Sequence, residues 1–138
     1  MNWFTWALFS ALFAGLTATL AKIGVKDVDS NLATAIRTTV ILFVTWAIAW
    51  GKSAVHLGSV TGRTWLFLVL SGFATGASWL CYFRALQLGN ASQVAPVDKL
   101  SVVVAIAFAA IFLGEHLTWH HWVGGSLIVA GAILIARA

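Results

Sequence analysis

The stretch SQVAPVDKLSVVVAIAFAAIFLGE, residues 92–115, gives the strongest indication of the fold class and the function of this chain. It is apolar enough to cross a bilayer, yet it carries Asp98 and Lys99 side by side, with Pro96 just before them. An ionisable side chain inside a spanning segment costs about 2.5–3.5 kcal/mol on insertion scales. A chain that keeps two of them therefore needs an ion-pair partner, a wet cavity or a function for them.

The composition of the whole chain is that of an integral membrane protein. Of 138 residues, 61% are hydrophobic and 9% are charged, whereas soluble globular domains carry about 25% charged residues. The net charge of +4 comes from eight Lys and Arg residues that are scattered singly, so nucleic acid is not an expected partner. Cys81 is the one cysteine, which leaves no intrachain disulfide and indicates no cysteine-based metal site.

Five stretches have the length of a membrane-crossing helix, which is roughly 17–25 residues. The predicted spans are about residues 3–21, 32–50, 65–83, 94–113 and 120–136. Tryptophans near their ends suit an interfacial belt, and Ser30 or Asn31 is the expected N-cap of the second span. The predicted fold class is an all-α integral membrane protein whose five transmembrane helices contact the lipid bilayer.

The distribution of Lys and Arg favours an outside N-terminus and a cytoplasmic C-terminus. In that orientation six of the eight cations lie towards the cytoplasm, and Lys52 and Arg63 lie outside. Arg37 and Lys99 fall within predicted spans, and without them the bias is four against two. Such a modest bias permits insertion in both orientations.

The polar and charged groups within the spans are the candidates for binding a substrate or a coupling ion. Asp98 is the one acid inside a predicted span, and it is either a proton or amine site or a structural ion pair with a nearby cation. Arg37 either snorkels to the interface or takes part in a pore. The further candidates are Lys99, Ser101 on the Asp98 face, Tyr82, Trp79 and Gln87.

Other residues are predicted to shape the helices. Gly72 and Gly76 have the G-x-x-x-G spacing that lets a second helix approach closely. Pro96 is expected in the first turn of its helix, where a missing N–H costs little, or further inside if the helix begins earlier. Adjacent side chains point about 100° apart on a helix, so Asp98 and Lys99 are not expected to face each other.

Asp98 is predicted near one end of its span. Lys22, Arg37 and Arg84 are predicted on the same side of the membrane. Asp98 is therefore expected to be the acid of a charge network near the cytoplasmic surface, which is a candidate gate.

Metal binding and covalent chemistry are not expected. His116, His120 and His121 crowd the last loop, but His120 and His121 are adjacent, whereas a metal site needs convergent ligands. No catalytic Ser/His/Asp set or Cys/His pair converges within the spans, so neither an enzyme nor a cofactor is predicted. Glu115, at the end of the fourth span, is expected to act as an interfacial cap.

Three segments in order resemble the EamA family of the drug/metabolite transporter superfamily. They are KIGVKDVDSNLATAIRT at residues 22–38, YFRALQLGNASQVAPVDKLSVVVA at 82–105 and FLGEHLTWHHWVGGSLIVAGA at 112–132. The chain is similar in particular to the short five-helix bacterial and archaeal transporter group, and the likeness makes residues 1–138 a single EamA-like domain. Many longer members hold two such repeats in inverted orientation around a central cavity.

The resemblance implies a secondary transporter in the bacterial or archaeal cytoplasmic (inner) membrane. It would export a small metabolite such as an amino acid, a nucleoside or an organic cation. Because the chain supplies one repeat, the resemblance also implies a homodimer or a dimer with an oppositely oriented paralogue. The first span lacks the acid that four-helix multidrug members keep there, so proton antiport would require Asp98 to replace it. The alternative is a non-transporting scaffold or a partner subunit of a larger transporter.

Overall fold

Helices form the regular structure of the chain in the computed structural model, which describes residues 2–52, 58 and 60–137. In chain order they are α1 (Trp3–Gly24), α2 (Ser30–Gly51), α3 (Gly62–Leu88), α4 (Ala91–Asp98), α5 (Ser101–Phe112) and α6 (Trp119–Ala136). The fold is 85% helical and has no strand among the described residues. The predicted all-α fold class is therefore confirmed.

Five helical segments within the described ranges are long and apolar enough to cross a membrane. They are α1, α2, α3, the combined segment Ala91–Phe112 and α6. Their apolar side chains largely face outwards, and Phe73 in the middle of α3, for example, is 73% exposed. An outer surface of this kind is suited to lipid, so the chain is a multi-pass membrane protein.

The fourth span is interrupted where the sequence predicted a continuous helix. Lys99 donates its N–H to the Pro96 carbonyl at 3.1 Å, and Leu100 donates to the Val97 carbonyl at 3.0 Å. These three-residue spacings replace the four-residue spacing of an α-helix. Pro96 is the sixth residue of α4 and lies beyond its first turn. The earlier helix start is thus the one observed, and Pro96 cannot donate to the carbonyl four residues before it.

The N-cap of α2 is Asp29, and the expectation of Ser30 or Asn31 was wrong. The Asp29 carboxylate accepts hydrogen bonds from the N–H groups of Asn31 at 2.9 Å and Leu32 at 3.2 Å. A carboxylate one residue before the helix reaches these unpaired donors and also lies favourably at the positive end of the helix dipole.

The helices divide into two compact units. Unit 1 comprises Met1–Ile23 and Leu88–Ala138 and contains α1, α4, α5 and α6. In it, α4 and α5 both pack against α6. Unit 2 comprises Gly24–Gln87 and contains α2 and nearly all of α3. The largest side chains that are fully buried in the structure, Val25 and Leu86, belong to unit 2.

Candidate functional site

The guanidinium of Arg37 lies over an aromatic surface in unit 2. Its carbon is 4.2 Å from the ring centroid of Trp79 and 5.6 Å from that of Phe83. Trp79 and Phe83 are four residues apart on α3 and so share one helix face. Arg37 is half-buried as the eighth residue of α2, about 10 Å from the helix start at 1.5 Å per residue.

No carboxylate balances the Arg37 charge among the described residues of unit 2. The acids of this unit are Asp27 and Asp29, and neither lies within 4.0 Å of the guanidinium. The cation–π contact is worth about 0.5–2 kcal/mol, but it does not supply the two acceptor oxygens that a guanidinium fork can engage. A carboxylate or a phosphate would supply them.

A groove of about 430 Å³ lies between α2 and α3, and neither Arg37 nor Trp79 is among the residues that line it. The residues that line it are Asn31, Thr34, Ala35, Thr38, Thr39, Leu42, Gly76 and Leu80. Two lining residues, Thr38 and Leu80, directly follow Arg37 and Trp79 in the chain, so the groove and the stack lie at the same level along α2 and α3.

The threonine hydroxyls of the groove are already used within α2. Thr34 donates to the Ser30 carbonyl at 2.8 Å, and Thr38 donates to the Thr34 carbonyl at 2.8 Å. Thr39 donates to the Ala35 carbonyl at 3.0 Å. Because these protons are committed to the backbone, the threonines offer a bound molecule mainly methyl groups and acceptor lone pairs.

Three of the sequence candidates thus lie in one region of unit 2. Arg37 and Trp79 are in contact, and the ring of Tyr82 is 6.4 Å from that of Phe83 in an edge-to-face arrangement. Phe83 was missed in the sequence because a phenylalanine under an arginine looks the same as one that faces lipid. Its spacing of four residues from Trp79 was the available signal.

Asp98 and Lys99 form an ion pair, against the expectation that they point apart. The Lys99 Nζ is 3.5 Å from the Asp98 Oδ2, a distance at the long limit of a hydrogen bond. Their side chains are 35% exposed for Asp98 and 54% exposed for Lys99. The pair forms because the helix is interrupted at Lys99 and the long lysine side chain bends back along it.

The other two candidates in unit 1, Ser101 and Glu115, are exposed and do not lie in a described binding site. Ser101 is the exposed first residue of α5. Glu115 has an exposed side chain, and its backbone N–H donates to the Ala109 carbonyl at 3.2 Å. This closure requires the positive φ of 67° at Gly114, a conformation that glycine adopts at no steric cost.

The G-x-x-x-G face of α3 makes no close helix contact in the described chain. A Cβ built on Gly72 or Gly76 would meet no atom within 4 Å. The spacing therefore remains a prediction of helix approach, and Gly76 borders the open groove described above.

Gln87, a candidate cavity residue in the sequence, holds the loop between α1 and α2. Its Nε2 donates to the Val28 carbonyl at 2.7 Å, and its Oε1 accepts from the Arg84 Nη1 at 3.0 Å. In unit 1, Lys22 donates to the Gly89 carbonyl at 2.8 Å. Arg84 and Lys22 are thus engaged near helix ends, and the wider network around Asp98 stays a prediction.

His120 and His121, expected in the last loop, lie in the first turn of α6 and take part in local structure. The Nδ1 of His121 accepts from the Thr118 N–H at 3.0 Å, which caps α6. The ring of His120 is 5.1 Å from that of Trp119. Within the described residues, no group of three or more His, Cys, Asp or Glu side chains could hold a metal ion.

Comparison with known proteins gives a family match over nearly the full chain. The model of the EamA-like transporter family matches residues 1–137. A Sinorhizobium protein named "Uncharacterized transporter in cobO 3'region" is 54% identical over 140 residues, which covers 98% of this chain and 96% of that protein. No solved structure matches the chain significantly.

More distant relatives match about half of the chain. Both carry the name "Probable 4-amino-4-deoxy-L-arabinose-phosphoundecaprenol flippase subunit ArnE". The protein from Aeromonas salmonicida is 28% identical over 69 residues, covering 50% of this chain and 60% of that protein. The one from Pseudomonas fluorescens is 30% identical over 73 residues, covering 53% and 62%. The five spans and the full-length family match agree, and this chain belongs to the EamA family as a multi-pass membrane transporter.

Proposed function

We propose that this protein is a secondary transporter that exports a small metabolite across the cytoplasmic membrane and works as a dimer of five-helix subunits. The observation that carries the proposal is the half-buried Arg37, which lies on Trp79 within a span and has no carboxylate beside it in the described part of unit 2. Substrates in the proposed range include amino acids, nucleosides and organic cations.

The energetic position of Arg37 supports a role in transport. A cation inside a span costs about 2.5–3.5 kcal/mol on insertion scales, and such residues commonly mark substrate or ion pathways. The contact with Trp79 offsets part of this cost, since cation–π contacts reach about 2 kcal/mol when desolvated. An apolar residue would join α2 to α3 without the cost, so a ligand is the simplest reason to keep a charge there.

The dimer is supported by the number of spans in the described residues. The chain matches the EamA family along its length with five spans, and a midplane cavity in transporters usually lies between two repeats. A second copy or an oppositely oriented paralogue would supply the other repeat. Dual reporter fusions at the C-terminal Arg137 test this: two orientations indicate an antiparallel homodimer, and one orientation indicates a paralogue or a parallel dimer.

The test of transport is flux in proteoliposomes that contain the full-length protein. Radiolabelled amino acids, nucleosides and organic cations are each loaded inside, and their efflux is followed with and without a proton gradient. We expect at least one class to leave faster than from empty liposomes, and Asp98→Asn to report whether a proton is coupled. A correctly inserted protein that moves none of the three classes, alone or with its paralogue, would contradict the proposal.

A second candidate is a partner subunit that does not itself bind substrate. The word "subunit" in the name of the ArnE relatives favours it. In this case the substitutions at Arg37 and Asp98 would change abundance or assembly of a larger complex and leave flux per assembled complex unaltered. Quantifying the complex by native gel beside each flux measurement separates the two functions.

A further inference from the structure

We infer that the Arg37–Trp79 stack is a recognition site for an oxyanion, a carboxylate or a phosphate, that is carried on an apolar body. This inference deepens the proposed function and rests on it, because it names the chemical class of the transported molecule. Of the classes given above, amino acids carry such an oxyanion, whereas nucleosides and organic cations do not.

The charge and the hydrogen-bond donors of Arg37 carry the anionic half of the inference. The guanidinium stacks on Trp79 at 4.2 Å and is not within 4.0 Å of a carboxylate of described unit 2 residues. A stacked guanidinium is held in one plane, so less side-chain freedom is lost when an anion binds. Its edge presents parallel N–H groups to two oxygens of one anion at once.

The groove carries the apolar half. It has about 430 Å³, its lining residues Thr38 and Leu80 directly follow Arg37 and Trp79 in the chain, and a volume of this order accommodates a small organic molecule. The hydroxyl protons of Thr34 and Thr38 bond backbone carbonyls, so the wall offers few donors to a second polar group. A molecule with one anionic end and an apolar remainder fits this division, whereas a molecule that is polar throughout does not.

The structure also supplies a matched cation that lacks these features. Arg63 lies 5.9 Å from the Phe67 ring centroid near the start of α3. It is exposed and is not one of the residues that line the groove of unit 2. A substitution there removes the same charge and a looser ring contact without touching the inferred site.

The test measures protection of Arg37 in the full-length wild-type protein. Phenylglyoxal modifies arginines, and mass spectrometry reports the rate at each of Arg37, Arg63 and Arg84. Three probes of one shape are compared in dodecyl maltoside, a detergent without phosphate: phenylacetate, phenylacetamide and phenethylammonium. We expect phenylacetate at about ten times its Kd to slow modification of Arg37 about tenfold, because only the unoccupied site reacts, and the other two probes to leave the rate unchanged. The rates at Arg63 and Arg84 should not respond.

Two sources of the oxyanion are distinguished by a lipid arm. Adding phosphatidylglycerol without a solute protects Arg37 if a lipid phosphate occupies the site, and leaves it reactive if the site takes a solute. Either result agrees with an oxyanion site on an apolar body. An Arg37 that phenylglyoxal does not reach, or that no anion in either arm protects, would overturn the inference, since such a group is closed to an anionic ligand.

Variants give a second readout that does not depend on arginine chemistry. We expect Arg37→Gln to weaken phenylacetate binding by calorimetry about tenfold, Arg37→Lys to lose part of the affinity, and Arg63→Gln to bind as the wild type does. Equal binding by wild type and Arg37→Gln would overturn the inference. Protection of Arg37 without flux would support the oxyanion site and count against the proposed transport. Flux without protection of Arg37 would support the transport and overturn the oxyanion site.

Discussion

Arg37 and the Asp98–Lys99 pair are charged groups within described spans that are stabilised in different ways. Asp98 and Lys99 are neighbours of opposite sign at the interruption between α4 and α5, and both side chains are at least one-third exposed. Together they carry no net charge. Arg37 is alone on the rings of Trp79 and Phe83, and the described part of unit 2 places no carboxylate beside it.

The difference indicates which of the two sites can still bind a charged ligand. A pair of opposite charges satisfies itself locally, and a half-exposed pair of this kind is worth only about 0–1 kcal/mol. A cation with no carboxylate beside it still attracts an anion, more strongly as its surroundings exclude water. We therefore expect substrate binding to depend mainly on Arg37, although the sequence alone drew attention first to Asp98.

The largest expected effect is that of Arg37→Gln on flux. Losing a charged hydrogen bond to the substrate corresponds to about 1.5–3 kcal/mol, or roughly 10- to 100-fold in transport. Initial efflux rates in proteoliposomes measure it, normalised to the amount of correctly inserted protein. Arg63→Gln is the control and should transport normally. A loss of flux in both variants would point to net charge rather than to the stack.

A smaller effect is expected for Trp79→Ala. The substitution removes a cation–π contact of about 0.5–2 kcal/mol and lets the guanidinium move, so we expect flux to fall roughly three- to tenfold. Trp79→Phe keeps a ring and should lose less than Trp79→Ala does. The two variants are compared with wild type by substrate titration, because the loss should appear mainly as weaker binding. If alanine and phenylalanine behave identically, the ring face has no role.

The five spans were predictable from the sequence because a run of apolar residues is a local property. The stack was not, since it depends on how α2 faces α3, and the sequence does not distinguish Phe83 under Arg37 from Phe73 in lipid. The interruption of the helix after Asp98 could be predicted only in part. Pro96 disrupts a helix when it lies beyond the first turn, so its effect depends on where α4 begins, and the apolar pattern did not show that α4 begins as early as Ala91.

A third prediction concerns the interruption itself. Pro96→Ala restores an N–H that the carbonyl four residues before it can accept, so we expect a higher melting temperature in detergent because an internal proline costs about 3 kcal/mol. If the interruption bends during transport, as three-residue turns within helices often do, flux should fall about two- to threefold. Ala95→Gly near the same turn is the control, because it increases the conformational freedom of the backbone instead of reducing it. A more stable protein with unaltered flux would show that the interruption is structural only.

The smallest effect is expected where the two charges compensate each other. Asp98→Asn leaves Lys99 without its partner and Lys99→Gln leaves Asp98 without its own, whereas the double variant removes both charges. Because the pair is half-exposed, each single substitution should change flux less than about threefold, and the coupling energy of the double-mutant cycle should stay below ~1 kcal/mol. The cycle is measured on efflux rates with and without a proton gradient. A loss of flux in Asp98→Asn and in the double variant, with Lys99→Gln normal, would assign Asp98 its own role as a coupling carboxylate. In that case the two sites would have separate roles: Arg37 would bind the substrate anion, and Asp98 would carry the proton.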